Sequence, residues 1–225
     1  DADLYAKDAV LHSEGVAFTA VQDGREVAVS LPIPGKFTVY NALNVLGMAM
    51  QLDVSLADAA AALRTAQGVK GRVEVVPTPG KDYTVLIDYA HTPDGLENVL
   101  SSGKGFCKGR LIAVFGCGGD RDPIKRPIMG KIGTDIADLA IITSDNPRTE
   151  DPAKIIEDIV KGIEKQKNNY EIIENRPAAI RHAMDIARKN DIIILAGKGH
   201  ETYQEINGVK HHLDEREVVA AYLEE

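Results

Sequence analysis

The stretch Leu139-Ala-Ile-Ile-Thr-Ser-Asp-Asn-Pro-Arg-Thr-Glu-Asp-Pro152 decides the fold of this chain. It begins with a short apolar run, continues through the polar loop Asp145–Arg148, and ends in Asp-Pro, a combination typical of a helix start. A strand that leads through a short loop into a helix is the repeating unit of α/β proteins. Open α/β sheets bind their ligands at the carboxyl ends of the strands. We therefore predict a binding loop here.

The same arrangement recurs along the chain after Arg72. The apolar runs predict strands at residues 84–87, 111–115, 139–143, 170–173 and 191–195. Between them we predict four helices. One begins at Pro93, a second ends near Ala137, and the other two span residues 152–165 and 177–189. Strands that are apolar along their whole length are typical of a parallel sheet covered on both faces. The fold class is therefore α/β, with a Rossmann-like, mostly parallel sheet.

The first 70 residues have a different pattern. Two strands, residues 16–21 and 26–31, flank Asp23-Gly24, which is a hairpin signal. Helices follow at residues 39–50 and 56–66, and Ser55 is suited to cap the second one. The segment 67–72, with two glycines, predicts a boundary between a domain of residues 1–70 and a domain of residues 71–225.

Composition narrows the class of protein. The chain has 225 residues, of which 44% are hydrophobic and 27% charged, as in ordinary globular proteins. A net charge of −8 argues against a nucleic-acid or membrane surface, which would need a basic patch. The sequence shows no signal-peptide pattern and no apolar run of about 18 residues, and its two cysteines have no metal or redox spacing. We expect a cytoplasmic monomer that binds small molecules.

Polar residues gather directly after the predicted strands. Such motifs occur four times, at residues 88–94, 116–122, 145–148 and 197–201. Because the carboxyl ends of parallel strands meet at one edge of a sheet, these loops predict a binding or active site. Within it, Asp145 suits an ammonium and the planar fork of Arg148 suits a carboxylate. The alternative is that Asp, Asn and Pro simply form a type I turn.

Other signals in these loops are less specific. The glycine-rich loop 116–122 could bring backbone N–H groups to an anion at a helix start, or could be only a tight turn. It does not have the Walker A pattern, which is absent from the whole sequence. Lys198 could reach a phosphate or carboxylate, or belong to an ordinary loop. His91 and His200 lack metal-ligand spacing, so we predict no metal site, and we assign no catalytic residue.

Taken together, these motifs resemble the Mur ligase family. The resemblance is carried by Gly-Arg-Val-Glu at 71–74, Asp-Tyr-Ala-His-Thr-Pro-Asp at 88–94, Phe-Gly-Cys-Gly-Gly-Asp-Arg-Asp at 115–122, Asp-Asn-Pro-Arg-Thr-Glu-Asp-Pro at 145–152 and Ala-Gly-Lys-Gly-His-Glu at 196–201. Within the family, Asp-Asn-Pro-Arg resembles the motif of the branch that adds meso-diaminopimelate.

The resemblance implies roles for particular residues. Those that would hold meso-diaminopimelate are Arg121, Asp145, Asn146, Pro147, Arg148, Gly197 and Glu201. Arg148 would grip the distal carboxylate, which lysine lacks. Those that would contact ATP are Asn41 at the adenine, Arg72 at a phosphate and Asp88 at the ribose. Thr38 departs from the asparagine that the family often has there, which places that adenine-side contact in doubt.

The implied reaction is ATP-dependent amide formation. It would add meso-diaminopimelate to UDP-N-acetylmuramoyl-L-alanyl-D-glutamate in peptidoglycan synthesis, through an acyl phosphate. In the family, the phosphate-binding loop, the Mg²⁺ ligands and the UDP-binding domain belong to an earlier part of the enzyme. Residues 1–70 would then be the C-terminal part of the central ATPase domain, and residues 71–225 the C-terminal domain. We expect this chain to be inactive alone.

Two alternatives remain open from the sequence. The chain could belong to another Mur ligase or to a folylpolyglutamate-type ligase, although the loops at 145–148 and 197–201 argue against both. It could instead be a non-catalytic Rossmann-like module that binds an amino acid or a nucleotide.

Overall fold

The computed structural model describes residues 2–225, which form two compact units. One unit ends at Val69, and the other runs from Lys70 to Glu225. This division falls within the segment 67–72, where the two glycines predicted a boundary.

The first unit is a three-stranded antiparallel sheet with two helices. The strands pair in the order β1-β2-β3 and the helices follow them, with β1 at Leu4–His12, β2 at Gly15–Gln22, β3 at Arg25–Leu31, α1 at Lys36–Gln51 and α2 at Leu56–Leu63. The predicted hairpin at Asp23-Gly24 is confirmed, and both residues have positive φ, 47° and 74°. Such a pair matches the twist of the flanking strands.

Local signals located the helices of this unit well. Ser55 caps α2 as predicted, since its hydroxyl accepts a hydrogen bond from the backbone N–H of Asp58. The helix ends at Leu63, three residues earlier than predicted. The unit has its own apolar core, in which Phe18 and Leu46 are buried among residues of the sheet and both helices.

The second unit alternates strands and helices, as the sequence predicted. Its strands are β4 (Glu74–Val76), β5 (Thr84–Asp88), β6 (Leu111–Phe115), β7 (Leu139–Ile142), β8 (Tyr170–Ile172), β9 (Ile192–Ala196), β10 (Tyr203–Ile206) and β11 (Val209–His212). Its helices are α3 (Pro93–Phe106), α4 (Lys125–Ile136), α5 (Pro152–Val160), α6 (Arg176–Asp185) and α7 (Glu215–Leu223).

Six strands form the central sheet, in the order β4-β5-β9-β6-β7-β8. Strands β5, β9, β6, β7 and β8 are parallel, and β4 is an antiparallel edge strand. The α/β class with a mostly parallel sheet is therefore confirmed. Sequence reasoning missed β4, which is an edge strand of three residues.

Helices cover both faces of this sheet. On one face, Ile180 of α6 and Val219 of α7 are buried with residues of β5, β6 and β9. Every residue of β6 and β9 is buried, which explains why these strands are apolar without alternation. Helix α5 ends at Val160 rather than at residue 165; Gly162, just beyond it, lies so close to Pro127 that a Cβ would be 1.8 Å from that carbonyl oxygen.

Within residues 2–225, no helix combines the length and the apolar character that crossing a bilayer requires.

Candidate functional site

A cleft lies at the carboxyl ends of four neighbouring parallel strands. Because β5, β9, β6 and β7 are adjacent in the sheet, the loops that follow them converge, as predicted. They enclose a cleft of about 390 Å³. Its lining residues are Tyr89, His91, Thr92, Gly118, Arg121, Asp122, Lys125, Asp145, Asn146, Arg148, Gly197 and Glu201.

The cleft contains six of the seven residues that the family resemblance associated with the amino acid. They are Arg121, Asp145, Asn146, Arg148, Gly197 and Glu201. The seventh, Pro147, is buried and does not line the cleft. The structure thus brings the set together, while its role in ligand binding stays a prediction.

Asp145 supplies a buried carboxylate to the cleft. Asp145 is 6% exposed, and its Oδ1 accepts a hydrogen bond from the backbone N–H of Asn146 at 2.6 Å. The opposite loop approaches Oδ2 so closely that a Cβ at Gly197 would lie 2.7 Å from it. Gly197 also has a φ of +114°, which glycine adopts without strain. Glycine at this position therefore leaves Asp145 its place beside the cleft.

The side chain of Asn146 is held from three directions. Its Nδ2 donates to Glu201 Oε2 at 2.9 Å, and its Oδ1 accepts from the backbone N–H of Glu205 at 2.9 Å. The same Oδ1 accepts from Lys198 Nζ at 3.1 Å. The carboxamide orientation is therefore fixed before any ligand arrives.

Arg148 is fixed by two other parts of the chain. Its Nη1 donates to the carbonyl of Gly119 at 2.7 Å, and its Nε lies 3.5 Å from Glu205 Oε2. Its backbone N–H donates to the carbonyl of Glu205, and its own carbonyl accepts from Asn207. The hairpin β10–β11 thus anchors the loop in which Arg148 has a φ of +51°. No sequence pattern predicted this contact between the hairpin and the loop.

The turn alternative is partly right about local structure. A hydrogen-bonded turn forms at Pro147–Glu150, where the N–H of Glu150 donates to the carbonyl of Pro147. It begins two residues later than the Asp145–Arg148 turn that the residue types suggested. Asp145 and Arg148 therefore keep side-chain groups at the cleft.

The glycine-rich loop 116–122 does not lie at the start of a helix. Helix α4 begins only at Lys125, and the N–H of Gly119 donates to the carbonyl of Asn146 at 2.9 Å. A Cβ at Gly119 would lie 2.0 Å from the carbonyl oxygen of Pro147. Glycine in this loop permits close packing against the Asp145–Arg148 loop.

Ionic contacts reinforce the same pair of loops. Arg126 is 3% exposed and donates to Glu150 at 2.8 Å and to Asp158 at 3.0 Å. The Arg126 guanidinium holds the pKa of Glu150 below its usual value, and Glu150 also accepts the N–H of Asp120. The Asp120 carboxylate in turn bonds Thr149, which lowers the pKa of Asp120.

Sequence reasoning did not assign Tyr89 or Lys125 to the site. Lys125 Nζ donates to the carbonyl of His91 at 2.7 Å, and the Tyr89 ring lies 4.6 Å from that of His91 and 5.0 Å from that of His200. Tyr89 could have been found, because it directly follows Asp88 at the end of β5. Lys125 gave no signal, since it is the first residue of a helix and far from any strand end.

The three residues associated with ATP have different surroundings. Arg72 is exposed, and its guanidinium carbon lies 5.2 Å from the centre of the Tyr89 ring. Asp88 is 7% exposed, and its two oxygens accept the N–H groups of Val73 and Ala90, each at 2.8 Å. Burial raises the pKa of Asp88, against the lowering effect of these two donors. Asn41 is an exposed residue of α1 in the first unit.

The described part of the chain offers no obvious metal centre or thiol nucleophile. Among residues 2–225, no group of three or more His, Cys, Asp or Glu side chains is arranged to hold a metal ion. Burial raises the pKa of Cys117 to about 12, so its thiol stays protonated near neutral pH. The charged groups of both signs that line the cleft are suited to pair with a charged small molecule.

Comparison with known proteins gives a consistent family. The model of "Mur ligase, glutamate ligase domain" matches residues 71–199. The chain is 50% identical over 224 residues to the UDP-N-acetylmuramoyl-L-alanyl-D-glutamate–2,6-diaminopimelate ligase of Clostridium botulinum, and 51% identical over 225 residues to that of Clostridium tetani. Each match covers 99% of this chain and 46% of the relative, so the chain spans about half the length of the curated relatives it matches.

A solved structure of a protein with the same name is also similar. It superimposes with a TM-score of 0.81 at 39% sequence identity, over 99% of this chain and 45% of that one.

Proposed function

This chain belongs to the Mur ligase family, and we propose that it is the C-terminal part of a meso-diaminopimelate-adding ligase. The whole enzyme would join meso-diaminopimelate to UDP-N-acetylmuramoyl-L-alanyl-D-glutamate with ATP, in the cytoplasmic synthesis of peptidoglycan. The names of relatives at 50% and 51% identity support this proposal. Since the chain spans about half their length, we assign turnover to the longer protein and only ligand binding to this chain.

The observation that carries the proposal is the distribution of charge in the cleft. Carboxylates of Asp145 and Glu201 and the guanidinium of Arg148 line the same cleft. A zwitterionic amino-acid end presents an ammonium and a carboxylate, which would pair with these groups. In the Arg148 guanidinium, Nη1 donates to the carbonyl of Gly119 and Nε lies 3.5 Å from Glu205. Further N–H donors of the planar fork remain for a ligand carboxylate.

Arg148 would also determine specificity. Lysine has the same two ammonium groups at the same spacing as diaminopimelate but lacks the second carboxylate. A hydrogen bond to a charged group contributes about 1.5–3 kcal/mol, which corresponds to roughly 10- to 100-fold in affinity. The anchoring of Arg148 by Gly119 and by the β10–β11 hairpin supports this role, because a guanidinium held in place loses less entropy on binding.

We propose that Asn41, Arg72 and Asp88 are the residues that contact ATP. ATP would supply the phosphoryl group that activates the carboxylate to be joined. We propose that the Mg²⁺ ligands lie outside this chain; among residues 2–225, no group of three or more His, Cys, Asp or Glu side chains is arranged to hold a metal ion. We propose that the protein acts as a monomer.

The test is isothermal titration calorimetry of this chain with meso-diaminopimelate and, separately, with L-lysine. Three proteins are compared: the wild type, Arg148→Ala, and Arg181→Ala as a matched control. Arg181 is an arginine of the same unit that pairs with Glu225 and does not line the cleft. We expect wild type and Arg181→Ala to prefer meso-diaminopimelate by at least about tenfold, and Arg148→Ala to lose that preference.

Equal affinity of the wild type for the two ligands would contradict the role of Arg148. If neither ligand binds this chain, the same variants are compared in the longer protein by their KM values for the two amino acids. A longer protein that joins neither amino acid to the nucleotide precursor would refute the proposed function itself.

A further inference from the structure

Lys198 is a completely buried cation beside the cleft. Its side chain has 0% exposure, and the residue does not line the cleft. It lies between Gly197 and Gly199, whose φ angles of +114° and +54° allow a tight loop after β9. A buried ammonium is costly unless it is paired, so its partners show what holds it there.

All three polar neighbours of Lys198 line the cleft. Nζ lies 3.1 Å from Asn146 Oδ1, 3.3 Å from Glu201 Oε2 and 3.9 Å from Asp145 Oδ1. Asn146 and Glu201 are also bonded to each other at 2.9 Å, so the three side chains form one connected network. A single ammonium therefore fixes groups that belong to two different loops.

We propose that Lys198 is a positioning residue of the amino-acid site, acting through Asn146 and Glu201. This inference rests on the proposed function. Lys198 orients the two side chains from behind, and its charge offsets one of the two negative charges of Asp145 and Glu201. Within this group of three side chains one net negative charge remains, which suits a ligand ammonium placed beside them.

The experiment uses the longer protein of which this chain is proposed to be the C-terminal part. Lys198→Met, which keeps length and removes charge, is compared with Lys210→Met. Lys210 is the matched control: it is exposed, does not line the cleft, and its ammonium lies over the same Tyr203 ring as that of Lys198. The readouts are kcat and the KM values for meso-diaminopimelate and for ATP.

We expect Lys198→Met to raise KM for meso-diaminopimelate at least about tenfold, because charge-assisted bonds to the binding side chains are lost. KM for ATP should stay within about twofold, and Lys210→Met should resemble the wild type. A fall in kcat with unchanged KM values would indicate a merely structural role and would overturn the proposal. If Lys198→Met does not fold, Lys198→Gln is used, and a smaller rise in the same KM is expected.

A double-mutant cycle separates positioning from general damage. If Lys198 acts through Asn146, the effects of Lys198→Met and Asn146→Ala on this KM should be strongly non-additive. Lys198→Met and Arg121→Ala should be additive, since Arg121 bonds only the carbonyl of Asp120 among the described residues. Additivity in both cycles would refute the proposal.

Failure of the proposed function gives a different result. The wild-type protein would then show no turnover with meso-diaminopimelate, and positioning is judged on this chain by NMR of the Asn146 side-chain amide. Lys198→Met should shift that amide resonance and speed its hydrogen exchange, whereas Lys210→Met should not. An unchanged Asn146 amide in Lys198→Met would overturn the inference independently of activity.

Discussion

Replacing Gly119 by alanine tests whether loop packing, rather than anion binding, explains the glycine-rich loop. The added Cβ would lie 2.0 Å from the carbonyl oxygen of Pro147 and 2.8 Å from its carbonyl carbon. These are backbone atoms, which cannot move aside as a flexible side chain can. The loop that carries Gly119 and the loop that carries Pro147 must therefore separate.

The cost follows from the contacts that separation breaks. The hydrogen bond from Gly119 N–H to Asn146 is worth about 0.5–1.5 kcal/mol, and the one from Arg148 to the carbonyl of Gly119 about 1.5–3 kcal/mol. We expect the free energy of unfolding of the second unit to fall by roughly 2–4 kcal/mol. Because Arg148 is released, the preference for meso-diaminopimelate over lysine should fall as well.

Gly105→Ala is the matched control for this substitution. Gly105 lies in α3, and an added Cβ would have no atom within 4 Å. Alanine in a helix is favoured over glycine by roughly 0.5–1 kcal/mol, so this variant should be slightly more stable than the wild type. The two substitutions add the same methyl group and are expected to act in opposite directions.

Amide hydrogen exchange is the appropriate assay, because it reports on the second unit separately from the first. The slowest amides of β6 and β9 give the free energy of opening of that unit. A change below about 0.5 kcal/mol in Gly119→Ala, the range of an ordinary surface substitution, would refute the packing argument. So would equal effects of Gly119→Ala and Gly105→Ala.

Two further predictions concern ion pairs of the second unit. Arg176 is 0% exposed and pairs with Glu215 at 2.7 Å. Arg176→Met should therefore lower the free energy of unfolding, measured in urea, by about 3–5 kcal/mol, because the Glu215 carboxylate stays buried without its partner. Adding Glu215→Leu should restore much of that loss. The hydrogen bond from Arg216 lowers the pKa of Glu74 from 4.5, which stabilises the folded state above that pH. Glu74→Gln should therefore lower the melting temperature near neutral pH, and the difference from wild type should vanish well below pH 4.5.

The sequence alone determined the elements whose causes are local. Thr92 and Asp151 cap helices through hydrogen bonds to N–H groups three and two residues away, so the sequence predicted these helix starts. The hairpin turn at Asp23-Gly24 was predictable for the same reason. Fully apolar strands also predicted a parallel sheet, and with it the edge where the polar loops meet.

Helix ends were less predictable. Helix α6 ends at Asp185, four residues before the predicted end, and α5 ends at Val160. No local cap of the kind that marks a helix start was available at these positions. Just beyond α5, Gly162 packs closely against the backbone of Pro127, which is far away in the sequence.

Only the tertiary structure decided how the cleft is held together. Lys198 follows β9, whereas Asn146 follows β7, and they meet because β9 lies in the middle of the sheet between β5 and β6. The anchoring of Arg148 by Gly119 likewise joins residues 29 apart in the sequence. Residue types and spacing indicate which groups reach the edge of a sheet. Which of them touch depends on strand order, and strand order is set by long-range packing that no local pattern contains.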